Sequence, residues 1–385
     1  MLVLFLIYLT ISVIYISFFA MASAWYHTPK LENRSELKTS TQLLFLIPAF
    51  REDAVIIQTV TDLLKKQDLR LDDEIVVIAD QLQENTLSLL RKLPIRVIEV
   101  HFEKSTKTKS INAALQTIQE PYGAVVLLDA DNWVASDFIP RVRKAYASGL
   151  HIIQTHRVAK NTDTSFALLD AASEEINNTI FRKGHAAVGL SAALIGSGLV
   201  MDYEKFKNYL SKIEVISGFD KQLELDILDK KEQIFYLDDV YVLDEKVRNA
   251  NVFEHQRTRW MAAQVHFAKK YFWKGFLGLF SNKLDFVDKV LQFILPPRLF
   301  LLGGISFTWI MLLITGKFII WISFLLVILY ITIWFSIPYV IRQKIGWKEI
   351  QLIPKSFALL FLTLFRLKKA KKSFLHTPHS NSVNT

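Results

Sequence analysis

Two aspartates stand one residue apart at the end of an apolar run, a spacing that can hold a metal ion. Asp129 and Asp131 follow the run from Val125 to Leu128. Side chains alternate along an extended backbone, so both carboxylates face the same way. Such a hard, oxygen-rich pair suits Mg²⁺ or Mn²⁺ bridging to substrate phosphates. A simple turn is the alternative, since Asp favours turns. The apolar strand pattern before the pair favours the metal site.

Other polar groups also follow apolar runs of the chain. Asp80 comes after a run that begins at Glu74, and its carboxylate can accept hydrogen bonds from a ribose or a base N–H. Lys104, Lys107 and Lys109 are cations that can face a diphosphate. Two further segments have the polar and flexible character of binding turns, Pro48-Ala49-Phe50-Arg51-Glu52-Asp53 and Gly196-Ser197-Gly198.

Asp220 stands just before a predicted helix over Lys221 to Lys231. Asp is a common N-cap residue, because its carboxylate accepts a hydrogen bond from the first turn. The residue types alone therefore leave open whether Asp220 has a chemical role or only caps this helix.

The segment Gln256-Arg257-Thr258-Arg259-Trp260 is the most distinctive in the chain. On a helix Gln256 and Arg259 share a face, and Trp260 lies beside Gln256. An amide, a guanidinium and an indole can together bind a diphosphate and stack on a sugar ring. An amphipathic helix with its Trp at a membrane boundary is the alternative, which explains the Trp but not the whole set.

Alternating strands and helices must position these groups. Short apolar runs predict strands over Leu43–Ile47, Glu74–Ile78, Ile95–Val100 and Ala124–Leu128, and helical spacing lies between them over Ala54–Lys66, Asn85–Leu93 and Ser110–Gln119. This alternation predicts an α/β domain, over about 40–265, with a mainly parallel sheet. Ligands of such sheets bind beyond the carboxyl ends of the strands, where the polar groups stand.

The composition indicates that part of the chain contacts lipid. Of 385 residues 51% are hydrophobic and 22% charged. Uncharged runs long enough to cross a bilayer predict a transmembrane helix over 1–26 and a transmembrane hairpin over 298–342. A cleaved signal peptide is the alternative for the first run, although no basic residue precedes it. The segments 272–297 and 346–367 predict interfacial amphipathic helices, with a further span as the alternative for the second.

The charge distribution predicts the orientation. The net charge of +9 has its densest block after the hairpin, in a basic tail over 368–385. The positive-inside rule then places this tail and the α/β domain in the cytoplasm, at the inner membrane. Membrane lipid thereby explains the basic balance better than nucleic acid does. The absence of cysteine excludes disulfides, thiolate metal sites and a cysteine nucleophile.

From Leu43 to Trp260 the chain resembles the membrane-bound, processive-type family 2 glycosyltransferases, which include the cellulose, hyaluronan and chitin synthases. The resemblance rests on the order of the motifs, above all on Gln-x-x-Arg-Trp. It implies a GT-A fold and a nucleotide-sugar donor, with Asp80 on the nucleobase and Asp129 and Asp131 on the diphosphate through Mg²⁺ or Mn²⁺. The other residues that it implies are Pro48, Glu52, Lys107, Gln256 and Arg259 at the donor and Gly196, Ser197, Gly198 and Trp260 at the acceptor.

The same resemblance points to a catalytic base. The family has Thr-Glu-Asp or Gly-Glu-Asp where this chain has Gly218-Phe219-Asp220. The distance to the strand that begins at Phe235 favours Asp220 as the base, with a shift to Glu224 or Asp226 as the alternative. The phenylalanine departs from the family pattern, and so does Arg51-Glu52-Asp53, which stands where Asn-Glu-Glu is common.

The sequence therefore predicts an inverting, metal-dependent transfer of a sugar, from a UDP-sugar in most of the family, to a polysaccharide or exopolysaccharide at the inner membrane. Transfer of one sugar to a ceramide-like lipid or a polyprenyl phosphate is an alternative, since three spans would enclose a polymer channel only in a homo-oligomer. A non-catalytic, membrane-anchored binding subunit is a second alternative, which Phe219 and the altered first motif favour.

Overall fold

The computed structural model describes residues 1–31, 41–66, 68–215 and 217–370. The chain divides into two compact units. The sheet unit takes Thr28–Asn161 and Ala192–Glu245, and the helical unit takes Met1–His27, Thr162–Ser191 and the described residues from Lys246 to Ala370. The part of the predicted basic tail beyond residue 370 lies outside the described residues.

Within the described residues, eight strands form one sheet in the order β3-β2-β1-β4-β7-β6-β8-β5. Parallel pairs join β1 to β2 and β4, β2 to β3, and β6 to β8, whereas β7 is antiparallel to β4 and β6, and β5 is antiparallel to β8. The predicted α/β class is confirmed, and the sheet is mixed, with four parallel and three antiparallel pairs among the described strands. The strands are β1 (Leu43–Phe50), β2 (Glu74–Asp80), β3 (Arg96–Val100), β4 (Ala124–Leu127), β5 (Trp133–Val134), β6 (Ile152–Ala159), β7 (Leu199–Asp202) and β8 (Phe235–Asp244).

Helices occur in both units. In chain order they are α1 (Leu2–Ala22), α2 (Ile56–Leu64), α3 (Glu84–Leu90), α4 (Lys107–Thr117), α5 (Phe138–Ala147), α6 (Ser165–Asn177), α7 (His185–Ala187), α8 (Tyr203–Leu210), α9 (Phe219–Asp229), α10 (Ala250–Gly278), α11 (Leu284–Ile294), α12 (Arg298–Thr315), α13 (Ile319–Phe335), α14 (Tyr339–Arg342) and α15 (Trp347–Ala370). A π-helical segment, Asn178–Gly184, joins α6 to α7.

The central strands are buried on both faces. All four residues of β4 are buried, as is the first part of β1. Leu43, Phe45 and Ile47 pack in one apolar cluster with Ile56 and Val60 of α2. Continuous apolar runs, rather than alternating ones, are what parallel strands covered by helices require. This burial holds the strand ends, and the polar residues after them, in fixed positions.

Two helix starts differ from the sequence prediction in a way that matters for the site. The helix predicted from Ser110 begins at Lys107, because the Thr106 side chain accepts from the Lys109 backbone N–H and caps it. The helix predicted from Lys221 begins at Phe219, and its N-cap residue is Gly218, with φ +77°. Lys107 and Asp220 therefore lie in first helical turns, and the alternative in which Asp220 is the N-cap is wrong.

The helical unit has its own apolar core. Leu9, Val13 and Ile16 of α1 cluster with Ile305 of α12 and Leu325 of α13. Among the described residues, Leu2–Trp25 and Arg298–Thr315 are long and apolar enough to cross a membrane by length and composition alone, and Ile319–Phe335 is apolar but shorter. The segment predicted as one interfacial helix over 272–297 is divided between the end of α10 and α11, and α15 covers the second such segment.

The substitution Gly198→Ala tests how closely β6, β7 and β8 approach one another at Gly198. Its φ is +63°, and a Cβ there would clash with Thr155 Oγ1 of β6 and lie 3.1 Å from Val242 Cγ2 of β8. Gly149 has a φ of +94° with no atom within 4 Å of such a Cβ, so it is the matched control for backbone strain alone. Gly198→Ala should cost about 1–3 kcal/mol more than Gly149→Ala, seen as a lower midpoint of thermal unfolding. Equal midpoints would contradict this close approach.

Candidate active site at the strand ends

Lys107 joins three of the predicted site segments. Its ammonium forms an ion pair with Asp129 Oδ1 and donates a hydrogen bond of 2.8 Å to the Gly196 carbonyl oxygen. The same Nζ lies 5.1 Å from the centroid of the Phe219 ring. The first turn of α4, the end of β4, the turn before β7 and the start of α9 therefore meet at one cation.

Phe219 and Asp220 lie directly against the segment Gly196-Ser197-Gly198, here called the glycine turn. Gly196 has a φ of +71°, and a Cβ there would lie 3.0 Å from the Phe219 ring and 3.2 Å from Asp220 Cβ. A glycine is required for this contact and for the left-handed backbone. At the position where the resemblance implies a glutamate, the phenyl ring of Phe219 faces the Lys107 ammonium. The ring keeps the cation in place without adding negative charge.

Asn132, which the sequence prediction missed, fixes the aspartate pair to the glycine turn. It is 1% exposed. Its Oδ1 accepts from the Asp129 backbone N–H at 3.0 Å and from the Ser197 hydroxyl. Its Nδ2 donates to Asp131 Oδ1 and Asp244 Oδ1, each at 3.2 Å. One amide thereby fixes the backbone of Asp129 and orients the carboxylates of Asp131 and Asp244. Its place directly after Asp-x-Asp was the available signal.

The two carboxylates of the pair have different surroundings. The Asp129 side chain is 32% exposed, whereas Asp131 is 2% exposed and its Oδ2 accepts from the Glu245 backbone N–H at 3.0 Å. Asp129 thus faces the open side of the site, whereas the Asp131 carboxylate is buried and fixed by its hydrogen bond with the Glu245 backbone.

Lys160 is a second cation that the sequence prediction missed. Its Nζ lies 3.7 Å from the Trp133 ring centroid and donates at 3.4 Å to the Asp131 carbonyl oxygen. Burial lowers the pKa of Lys160, while the carboxylates of Asp131 and Glu245 act in the opposite direction. This amine lies at the end of β6, where no local pattern in the sequence marks it.

Gln154 fixes the glycine turn through hydrogen bonds of its buried side-chain amide. It is fully buried, its Oε1 accepts from the Ile195 backbone N–H at 3.1 Å, and its Nε2 donates to the Ser197 carbonyl oxygen at 2.9 Å. A buried amide satisfied in this way fixes the turn, since breaking either bond would leave a buried polar group unpaired.

Asp80 is enclosed at the end of β2. It is 1% exposed, and its carboxylate oxygens accept from the hydroxyls of Ser105 and Ser110 at 3.0 and 2.9 Å. The segment with Pro48 and Glu52 follows the neighbouring strand β1, and the Arg51 backbone N–H donates to the Asp80 carbonyl oxygen at 3.1 Å. The direct contact of Asp80 with a nucleobase stays a prediction.

The aspartate pair fits a divalent cation that shares its coordination with a substrate. Asp129 already faces a cation, the Lys107 ammonium, and offers hard oxygen donors on an exposed side. The described residues contain no group of three or more His, Cys, Asp or Glu side chains that could hold a metal by themselves. Mg²⁺ and Mn²⁺ are commonly bound in this way, by one or two carboxylates with phosphates and waters completing the shell.

The Gln-x-x-Arg-Trp residues lie on α10, in the helical unit, whereas the other predicted site residues lie in the sheet unit. Gln256 Oε1 is buried and has no hydrogen-bond partner among the described residues. Arg257, which was not predicted as a site residue, lies 4.5 Å from the Trp260 ring centroid and donates to Asp170 Oδ1 at 2.6 Å. Arg257 therefore orients Trp260.

The sequence of this chain matches the model of one known protein family. A family model described as "Glycosyltransferase like family 2" matches residues 41–263, more than half of the chain. The chain belongs to this glycosyltransferase family. The predicted glycosyltransferase family is thereby confirmed, while the cellulose synthase-like subtype stays a prediction. No curated protein matches this glycosyltransferase.

Solved structures are similar to this chain to different degrees. The mannosyltransferase PcManGT from Pyrobaculum calidifontis, solved in complex with GDP-Man and Mn²⁺, is 13% identical with a TM-score of 0.54, covering 95% of this chain and 99% of its own. Glucosyl-3-phosphoglycerate synthase from Mycobacterium tuberculosis is 17% identical, with a TM-score of 0.39 and coverage of 58% and 77%. TarS of S. aureus is 17% identical, with a TM-score of 0.36 and coverage of 56% and 38%. The first of these likenesses supports a GT-A-like fold.

Asn132→Ala tests whether the Asn132 amide holds the site together. Losing a group that orients metal ligands typically costs about 10–100-fold in affinity. We expect UDP or GDP to bind about 10–100-fold more weakly in the presence of Mn²⁺, measured by calorimetric titration. Asn85→Ala, on the exposed side of α3, is the control and should bind as the wild type does. Equal affinity in both variants would show that Asn132 does not organise the site.

Proposed function

We propose that this family 2 glycosyltransferase is an inverting, metal-dependent enzyme that transfers a hexose from a nucleotide sugar to an acceptor hydroxyl at the membrane. One observation carries the proposal. A cation, a carboxylate pair and a candidate base converge on the glycine turn, through the contacts of Lys107 with Asp129 and Gly196 and of Gly196 with Asp220. These are the groups that departure of a diphosphate and activation of a hydroxyl require.

Lys107 binds the donor diphosphate in this proposal. Its ammonium has three donors, and the contacts with Asp129 and Gly196 orient it at the strand ends. When bound at Asp129 and Asp131, a divalent cation would supply further positive charge to the leaving group. Lys107 can then stabilise the negative charge that develops on the diphosphate.

Asp220 acts as the general base. The acceptor oxygen forms a bond to the anomeric carbon as the bond from that carbon to the diphosphate oxygen breaks. The acceptor proton passes to the Asp220 carboxylate, and the departing diphosphate keeps the bonding electron pair. Attack opposite to the leaving group inverts the anomeric centre, so that no protein nucleophile is needed. The position of Asp220 in the first turn of α9, against the glycine turn, supports this role.

Donor and acceptor are proposed from the resemblance and the membrane-like helices. A UDP-sugar and a polysaccharide or exopolysaccharide acceptor follow from the cellulose synthase-like motifs, with Gln256 and Arg259 at the donor and Trp260 at the acceptor end. PcManGT was solved with GDP-Man and Mn²⁺, so GDP-sugars belong beside UDP-sugars in a donor screen. Two helices among the described residues are long and apolar enough to cross a membrane, which supports membrane association. A location at the inner membrane with a cytoplasmic catalytic domain is proposed from the charge distribution of the sequence.

A non-catalytic binding subunit has less support. That alternative was based on Phe219 and on Arg51-Glu52-Asp53, which departs from the Asn-Glu-Glu of similar enzymes. Phe219 contacts Lys107 and the glycine turn as part of the site, so its presence is compatible with an active enzyme. Transfer to a lipid acceptor stays an alternative, and product analysis on gels would separate one lipid species from a polymer ladder.

Asp220→Asn tests the assignment of the base. The amide keeps the shape of the side chain but cannot take the acceptor proton, so we expect transfer from the nucleotide sugar to fall by about 10²–10⁴-fold. Binding of UDP or GDP with Mn²⁺ should stay unchanged, because the donor contacts belong to other residues. Initial rates of nucleotide release and calorimetric titration give the two readouts.

Asp226→Asn is the matched control on the same helix. Asp226 accepts from Gln222 Nε2 at 2.8 Å and lies in the second turn of α9. This variant should transfer sugar at close to the wild-type rate. Full activity of Asp220→Asn, or loss of activity in Asp226→Asn alone, would show that Asp220 is not the general base.

A further inference from the structure

An open cavity of about 570 Å³ lies within the helical unit, between α10, the end of α11 and the start of α12. Pockets for small molecules usually have volumes of about 300–1,000 Å³, so this space is large enough for part of a ligand. It belongs to none of the chemistry proposed above.

One face of α10 forms the long wall of the cavity. The lining positions on this helix recur every three or four residues, which places them on a single stripe. The opposite wall is apolar as well and includes Phe293, Ile294, Leu295 and Phe300. The residues of the α10 stripe are Met261, Gln264, Val265, Ala268, Lys269, Phe272 and Trp273.

Gln264 makes the cavity suitable for an apolar chain. Its Nε2 donates to the carbonyl oxygens of Phe293 and Leu295, at 3.3 and 2.9 Å. The last carbonyl groups of a helix have no partner within the helix, and leaving them unpaired against hydrocarbon is costly. With these carbonyls satisfied, the end of α11 can face a lipid chain.

The position of the cavity in the chain indicates what covers it. Pro296 and Pro297 line it immediately before α12, a helix that is long and apolar enough to cross a membrane. Phe272 and Trp273 are 45% and 69% exposed, and exposed aromatic side chains are typical of the membrane–water interface. The chemistry of this surface therefore fits bilayer lipid.

The charge at the cavity selects the kind of lipid. Lys269 is the charged residue among the described residues of the lining, and it is exposed. The carboxylates of α11 are occupied elsewhere: Asp285 accepts from Ser191, and Asp288 pairs with His185 at 3.1 Å. Lys269 forms no ion pair with a carboxylate among the described residues. An anionic headgroup would complement this ammonium.

We propose that this cavity is a binding site for an anionic glycerophospholipid, with one acyl chain along the α10 stripe and the headgroup phosphate at Lys269. The site is separate from the proposed sugar transfer, so it can exist whichever acceptor the enzyme uses. It lies on the helix that also carries Gln256, Arg259 and Trp260, so a bound lipid would stabilise the helix that presents these residues.

Photocrosslinking of the full chain in lipid nanodiscs tests the site. The discs contain phosphatidylcholine and a small fraction of phosphatidylglycerol that carries a diazirine in its acyl chain, and mass spectrometry maps the adducts. We expect adducts on the α10 stripe, at Met261, Ala268 or Phe272, that unlabelled phosphatidylglycerol displaces more effectively than added phosphatidylcholine does. Adducts spread evenly over all lipid-facing helices, or equal displacement by both lipids, would overturn the proposal.

Two variants separate the lipid site from the fold. Lys269→Glu should reduce the stripe adducts about fivefold or more, as expected for a lysine at an anionic surface, whereas Lys270→Glu, next to it but outside the lining, should change them little. Ala268→Phe fills the cavity and should remove the adducts while thermal unfolding and nucleotide binding are retained. Equal losses in the two lysine variants, or undiminished adducts in a folded Ala268→Phe, would contradict the site.

Discussion

The ion pair between Lys107 and Asp129 is the interaction on which the candidate site depends. The two side chains are 22% and 32% exposed, so solvent screens the pair and its net contribution to stability is small. Its importance lies in position. The same ammonium also contacts Gly196 and the Phe219 ring, so four separate segments of the sheet unit are arranged around one charge. A substrate diphosphate would compete for that charge, and the exposed carboxylate of Asp129 would then be available to a metal ion.

The sheet topology makes this arrangement possible. β1, β2 and β4 are parallel and end at one edge, which places the segments after them side by side. β7 runs antiparallel between β4 and β6, so the turn before it lies at the same edge of the sheet. Gly196 in this turn therefore contacts Lys107. Gly198 permits the close approach to Thr155 that this insertion needs. Gln154 and Asn132 then fix the turn and the aspartates with buried hydrogen bonds.

Much of the site could be predicted from local patterns. Asp129, Asp131 and Asp80 directly follow apolar runs, and Lys107 precedes a helical pattern, so a parallel-sheet prediction was enough to group them. The start of α4 at Lys107 depended on the capping side chain of Thr106, which a hydrophobic pattern does not contain. Asp220 was placed by resemblance, and the structure adds its contact with Gly196. In the sequence prediction and in the structure alike, the membrane spans are inferred from length and composition alone.

The missed residues share a physical reason. Gln154 acts on Ile195 and Ser197, more than 40 positions along the chain, and Asn132 acts on Ser197 and Asp244. Lys160 becomes part of the site only through the packing of β6 beside Trp133. Their roles come from pairings between distant strands, above all the antiparallel insertion of β7, and no period or motif in the sequence encodes such a pairing. Polar residues inside apolar strands, such as Gln154 in β6, are the nearest signal.

The central claim is that the strand-end carboxylates and Lys107 bind a nucleoside diphosphate together with a divalent cation. Calorimetric titration of UDP and GDP into the full chain, with Mn²⁺ and then with EDTA, tests it most directly, with Asp129→Asn measured alongside. The account predicts affinity that falls about tenfold or more when the metal is removed, and a similar loss in Asp129→Asn even with Mn²⁺ present. Binding that is equally tight with Mn²⁺, with EDTA and in Asp129→Asn would contradict it.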